Sequence, residues 1–166
     1  ARATILTSTG LQYIKNIKKG DMVVTYNDSG ETRLRPVTRK IKHNDSPIVC
    51  LMLNDGTKLR ATSNHTMLTK RGWLRIDNIK KGDYLVRKED SVCVANIIKE
   101  INSEPVYNLH TAFEHTFIVD GVIAHNFSTL RVFRTWLHKN LIDHIYYLFN
   151  KRVNTTSMNH FSNAKL

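Results

Sequence analysis

Two adjacent residues, His125 and Asn126, could together break a peptide bond of the chain that contains them. An asparagine carboxamide can attack its own carbonyl carbon, which closes a five-membered succinimide and releases the downstream segment. Because the reaction is intramolecular, orientation replaces the entropy of bringing two reactants together. The preceding histidine offers an imidazole that exchanges protons near neutral pH. A His-Asn pair is a weak signal alone, since most such pairs lie in surface loops.

A second pair, Thr62 and His65, has a spacing that would let both side chains act on the same backbone amide. The hydroxyl and the imidazole could converge on a peptide group, polarise it and protonate its nitrogen as it leaves. Threonine and histidine near a strand end also commonly satisfy local backbone groups, so this pair is equally weak when taken alone.

Short β-strands must position these residues, because apolar and β-branched runs alternate with turn signals through most of the first 125 residues. Asp55-Gly56 and Asp120-Gly121 each lie between apolar runs, which predicts β-hairpins. The pattern therefore predicts a compact all-β body. Its predicted strands include Met22–Tyr26, Cys50–Leu53, Thr57–Ala61, Tyr84–Val86, Val92–Ile98, Val106–Leu109 and Phe117–Val119.

The sequence contains two internal repeats. Ile14 to Val23 recurs as Ile76 to Leu85, and both copies contain Ile-Lys-Lys-Gly-Asp. Asn64 to Leu68 recurs as Glu114 to Ile118, and both copies contain His-Thr followed by apolar residues. A unit repeated only twice predicts a duplicated β fold with two related halves rather than a solenoid.

After Asn126 the periodicity changes from that of strands to that of a helix, which predicts a boundary between residues 1–126 and a C-terminal helical extension at residues 127–166. Residues from about Asn154 onward lack periodicity. The apolar stripe of the predicted helix consists of Leu130, Phe133, Leu137, Leu141, Ile145 and Leu148.

The net charge of +11 would suit nucleic acid or an anionic membrane, but the lysines are scattered beside turns and along strands. No recognition-helix cluster or aromatic stacking platform accompanies them, so a solvated basic surface is the preferred interpretation. No uncharged apolar run is long enough to span a membrane. Neither Cys50 nor Cys93 has metal-ligand spacing, and no metal or cofactor is expected.

Taken together, these motifs resemble the Hint domain, the autoprocessing fold of inteins, bacterial intein-like domains and Hedgehog proteins. The resemblance covers residues 1–126 and includes the start Ala3 to Gly10, both Ile-Lys-Lys-Gly-Asp turns, Thr62-x-x-His65 and the segment from Tyr107 to Asn126. It implies a horseshoe of β-strands with two pseudo-twofold halves. Both ends of the domain would meet at one active site.

The resemblance also implies roles for single residues. Thr62 and His65 would assist an N-terminal acyl shift, His125 would assist cyclisation, and Asn126 would cyclise. Asn108 lies where many inteins have aspartate, and asparagine cannot act there as an acid or base. His115 would either pack within the fold or support the reacting residues from beside them, and packing is preferred.

Two positions depart from the family pattern. Ala1 stands at or near the usual Cys or Ser nucleophile, so no N-terminal thioester is expected; either alanine replaces the nucleophile, which is preferred, or the sequence begins just inside it. Phe127 stands where a splicing intein needs Cys, Ser or Thr, which predicts cleavage rather than splicing.

The predicted function is therefore single-turnover, self-cleaving protein processing that acts on the flanking segments of the chain itself. One alternative is Hedgehog-like processing that passes a thioester to an external acceptor such as water, a thiol or a lipid alcohol. Another is a non-catalytic basic module that binds nucleic acid or a membrane. Residues 127–166 would be the attached downstream segment, a helix packed on the β body, or a lipid-presenting extension.

Overall fold

A computed structural model describes residues 2–126, and most of these residues lie in β-strands. The all-β prediction is thus confirmed for this part of the chain. Ala1 and residues 127–166, with the predicted helix, lie outside the described residues. A short 3-10 helix covers Ile76–Asn78. The strands are β1 Thr4–Thr7, β2 Gly10–Tyr13, β3 Met22–Tyr26, β4 Thr32–Leu53, β5 Lys58–Thr62, β6 Thr66–Thr69, β7 Gly72–Arg75, β8 Tyr84–Val86, β9 Ser91–Thr111, β10 Thr116–Val119 and β11 Val122–His125.

These strands form one hydrogen-bonded sheet in the order β10-β11-β6-β8-β9-β4-β3-β1-β2, with β5 paired to β4 and β7 paired to β6. An additional pairing of β1 with β10 closes the sheet on itself. The long strands β4 and β9 run antiparallel through both halves, with four shifts of register. Two of the predicted strands, Val92–Ile98 and Val106–Leu109, are parts of β9 rather than separate strands. They join because β4 is equally long and bulges absorb the irregular spacing between them.

The first internal repeat corresponds to two structurally equivalent turns. The Asp21 carboxylate accepts the backbone N–H of Lys18 at 2.7 Å, and the Asp83 carboxylate accepts that of Lys80 at the same distance. Apolar residues at equivalent repeat positions are buried in one shared core, which explains why the apolar pattern had to repeat as well. These equivalent pairs are Ile14 and Ile76, Ile17 and Ile79, and Val23 and Leu85.

A tight hairpin joins β10 to β11. Asp120 and Gly121 both have positive φ, 47° and 82°, as a type I′ hairpin turn requires, so the Asp-Gly signal is confirmed. The Asp120 carboxylate also accepts the backbone N–H of Thr4 at 2.7 Å and the Thr4 hydroxyl at 2.9 Å. The start of β1 is thereby tied to the turn of the hairpin that carries His125 at its other end.

Within residues 2–126 there is no helix with the length and apolar content needed to cross a membrane.

Candidate active site

Three histidines meet because of the strand order. Strand β11 lies between β10 and β6 and is antiparallel to both, so His125 at its end faces Thr116 on one side and Thr66 on the other. Those two threonines begin their strands, and each directly follows a histidine, His115 or His65. The second internal repeat thus supplies one imidazole on each side of the end of β11.

The side chains around His125 form a small aromatic cluster. The His115 ring centroid lies 6.5 Å from that of His125, and Trp73 of β7 contacts His125 edge-on at 5.2 Å with an interplanar angle of 80°. The His65 ring lies 6.0 Å from Phe117. Within residues 2–126, no three His, Cys, Asp or Glu side chains are grouped so as to hold a metal ion.

Burial keeps the imidazoles of His65 and His125 neutral at physiological pH. Burial, and to a smaller extent the nearby His125, lowers the pKa of His65 from 6.5 to about 4. Burial likewise lowers the pKa of His125 to about 4, and the electrostatic effect of the nearby His115 makes the next-largest contribution to this lowering. A neutral imidazole carries one N–H donor and one acceptor, so each ring can donate and accept one hydrogen bond at pH 7.

Asn126 is held in a geometry that leaves its carboxamide available. Its backbone N–H donates to the His115 carbonyl at 2.8 Å, and the His125 Nδ1 lies 3.1 Å from the Asn126 carbonyl oxygen. The residue is only 2% exposed, yet neither its Nδ2 nor its Oδ1 has a hydrogen-bond partner among the described residues. Leaving a buried carboxamide unpaired is unfavourable, and its nitrogen stays free to act as a nucleophile.

Two further predicted site residues, Thr62 and Asn108, lie on β5 and β9. Thr62 ends β5, and its carbonyl accepts the His65 N–H at 3.0 Å. Asn108 lies on β9 opposite Ile41, with a buried Oδ1 that has no partner among the described residues. Within residues 2–126, no hydrogen bond joins the Thr62 hydroxyl or the Asn108 carboxamide to the three imidazoles. Ala1, the expected nucleophile position, lies outside the described residues.

Sequence reasoning missed Trp73. It gave His115 either a packing role or a role beside the reacting residues, with packing preferred, and the structure places His115 beside His125 with its carbonyl accepting the Asn126 N–H. The repeat of Asn64 to Leu68 was the signal that placed His115 in a position equivalent to His65. Trp73 lies 52 residues before His125 in the sequence, and no motif links the two.

The fold matches that of inteins and intein-like domains. The solution structure of a bacterial intein-like domain from Clostridium thermocellum matches with a TM-score of 0.68 and 27% identity, over 75% of this chain and 94% of that one. A DnaB intein from Synechocystis sp. PCC 6803 matches with the same TM-score and 23% identity, over 76% and 96% of the two chains. The chain therefore has a Hint, intein-like fold, which supports autoprocessing as its general activity.

Residues 4–132 match the pretoxin HINT domain family, and the chain belongs to that family. Among curated proteins, the replicative DNA helicase DnaB of Rhodothermus marinus is 46% identical over 39 residues, which make up 24% of this chain. The match spans only 4% of the length of that helicase.

The Trp73 ring packs against the His125 ring and is expected to exclude water from it. Replacing Trp73 with Ala admits water to the imidazole, so the pKa of His125 should rise from about 4 towards 6.5. An NMR pH titration of the imidazole resonances, in an Asn126→Ala background that cannot cyclise, measures the shift. The control is Tyr84→Ala, which removes an exposed aromatic ring of β8. An unchanged pKa in the Trp73→Ala protein would contradict this role.

The partly buried imidazoles of His65 and His125 should make the domain sensitive to mild acid. Because their pKa values are lower in the folded state than in the unfolded state, stability present above pH 6.5 should be lost as the pH falls towards 4. The loss can reach about 1.4 kcal/mol per unit of pKa difference for each group. Urea unfolding between pH 7 and pH 5 measures it, before carboxylates contribute. The double variant His65→Gln/His125→Gln should show a flatter profile, whereas His43→Gln, at an exposed position, should not.

Proposed function

We propose that this domain cleaves its own backbone after Asn126 by cyclisation of the Asn126 side chain. The observation that carries the proposal is the contact of His125 Nδ1 with the Asn126 carbonyl oxygen at 3.1 Å, next to a buried carboxamide whose polar atoms are unpaired among the described residues. That oxygen belongs to the peptide bond that would break. The site therefore holds together the Asn126 carboxamide that attacks, the Asn126 carbonyl that it attacks and the His125 ring that can polarise this carbonyl.

The reaction needs no second substrate. Asn126 Nδ2 forms a bond to the carbonyl carbon of Asn126 and loses a proton, the bond from that carbon to the nitrogen of Phe127 breaks, and that nitrogen gains a proton. The products are a C-terminal succinimide and a free amine at Phe127. A neutral His125 with its proton on Nδ1 donates to the carbonyl oxygen and stabilises the negative charge that develops there.

Phe127 departs from the intein pattern in a way that favours cleavage over splicing. It offers no sulfur or hydroxyl to receive an upstream segment. In a version with Cys or Ser at the N-terminal junction, Thr62 and His65 would assist an acyl shift there. The family description, pretoxin, fits an outcome in which a downstream segment is released.

Incubating the chain near neutral pH should release residues 127–166, with the cut mapped by mass spectrometry to the bond after Asn126. Asn126→Ala removes the nucleophile and should abolish release. His125→Ala removes the donor to the carbonyl oxygen and should slow release by about 10²- to 10⁴-fold. The released fragment should begin with Phe127 and carry a free amine.

Asn78→Ala is the matched control for the loss of an asparagine, because Asn78 is exposed in the 3-10 helix. It should cleave at the rate of the unaltered chain. The proposal fails if the unaltered chain, correctly folded, stays intact, or if Asn126→Ala still cleaves at this bond.

A further inference from the structure

The loop that leads into β10 has an unusual backbone. Phe113 and His115 both have positive φ, 65° and 56°, although neither is glycine. Bulky residues rarely adopt this conformation, and it persists only where surrounding contacts enforce it. The same loop supplies the carbonyl that accepts the Asn126 N–H and the ring beside His125. Contacts that hold this loop in place therefore also hold the Asn126 backbone in place.

One ion pair holds the residues on the N-terminal side of His115. The Arg35 guanidinium donates to the Glu114 carboxylate in a bidentate arrangement, with Nε at 2.8 Å from Oε2 and Nη2 at 2.8 Å from Oε1. The guanidinium also lies over the Phe113 ring, 4.8 Å from its centroid. A single arginine thus contacts both residues that precede His115.

The ion pair is anchored in the sheet and partly shielded from water. Arg35 lies on β4 and is paired with Val23 of β3, and the Thr25 hydroxyl of β3 donates to Glu114 Oε2 at 3.3 Å. The side chains of Arg35 and Glu114 are 25% and 11% exposed, the lowest combined exposure among the ion pairs within residues 2–126. Such a pair is screened less by solvent than a surface pair and has a fixed geometry.

Contacts on the C-terminal side of His115 also hold the loop in place. The Thr116 hydroxyl donates to the Tyr26 carbonyl at 2.8 Å and accepts the Tyr26 N–H at 2.7 Å. The left-handed loop is therefore fixed to β3 and β4 before His115 and to β3 after it. The contact of Arg35 with Glu114 spans 79 positions of the sequence, and that of Tyr26 with Thr116 spans 90 positions. Both contacts therefore form only when the halves of the fold assemble.

We propose that Arg35 and Glu114 are positioning residues for Asn126 cyclisation. They lock the left-handed loop so that the His115 carbonyl holds the Asn126 backbone with its carboxamide beside its own carbonyl carbon. They act through His115 and contact none of the described reacting atoms. This inference rests on the proposed function. A misplacement of about 1 Å far from the chemistry can slow an oriented reaction by about a hundredfold, so the effect should be large.

The test compares two Glu→Gln changes. Glu114→Gln removes the charge that pairs with Arg35, and Glu100→Gln removes a charge that pairs with Arg60 across β5 and β9, where the side chains are 38% and 24% exposed. At a temperature where every variant is fully folded, Glu114→Gln should lower the first-order rate of cleavage about ten- to a hundredfold. Glu100→Gln should stay within about twofold of the unaltered chain.

A second readout separates positioning from stability. In an Asn126→Ala background, the backbone amide at position 126 should exchange with deuterium faster when Glu114→Gln is added, while the amide of Ala124 should not change. Arg35→Leu should reproduce both effects, and the double variant Arg35→Leu/Glu114→Gln should be no slower than either single one, because both remove the same contact. Arg35→Lys keeps the charge without the bidentate geometry and should be intermediate.

Both the cleavage rate and the amide exchange rate at position 126 must change for the inference to stand. It is overturned if Glu114→Gln cleaves at the rate of the Glu100→Gln control, or if the amide at position 126 exchanges at its original rate. If the unaltered chain does not cleave at all, the proposed function fails, and the exchange measurement still decides whether the ion pair holds the loop.

Discussion

The position of β11 between β6 and β10 is the constraint on which the site depends. Because β11 is hydrogen-bonded on both sides, His125 has no freedom to slide without breaking pairs with Thr66 and Thr116 together. The closing contact of β1 with β10 then ties this three-stranded group to the start of the described chain. A strand with a free edge would hold Asn126 much less firmly.

The same arrangement explains how unfavourable groups are tolerated. The imidazoles of His65 and His125 are partly buried in neutral form, and the Asn126 carboxamide is buried without a hydrogen bond among the described residues. Each of these features lowers stability, and the apolar core contributed by both halves offsets it. A polar partner for the carboxamide would stabilise the fold, but it would also occupy the nitrogen that must attack. The unpaired state is therefore consistent with a group kept for reaction.

Much of the fold could be predicted because its signals are local or repeated. The Asp-Gly turns and the repeated Ile-Lys-Lys-Gly-Asp segments act over a few residues, and the structure confirms the hairpins and the two halves. The contacts of Trp73 with His125 and of Arg35 with Glu114 could not be predicted, because each joins residues far apart with no motif. The continuity of β9 was missed for a related reason, since only its pairing with β4 shows it.

The duplication accounts for how a simple β fold acquires reactive geometry. Each half contributes a His-Thr pair at the start of a strand, and pseudo-twofold symmetry brings these pairs to opposite sides of the end of β11. A repeat alone would give two equivalent histidines, but their surroundings differ. His65 packs near Phe117, whereas His115 lies in a left-handed loop held by Arg35 and Glu114. The symmetry brings the imidazoles together, and the contacts that break it position the peptide group after Asn126.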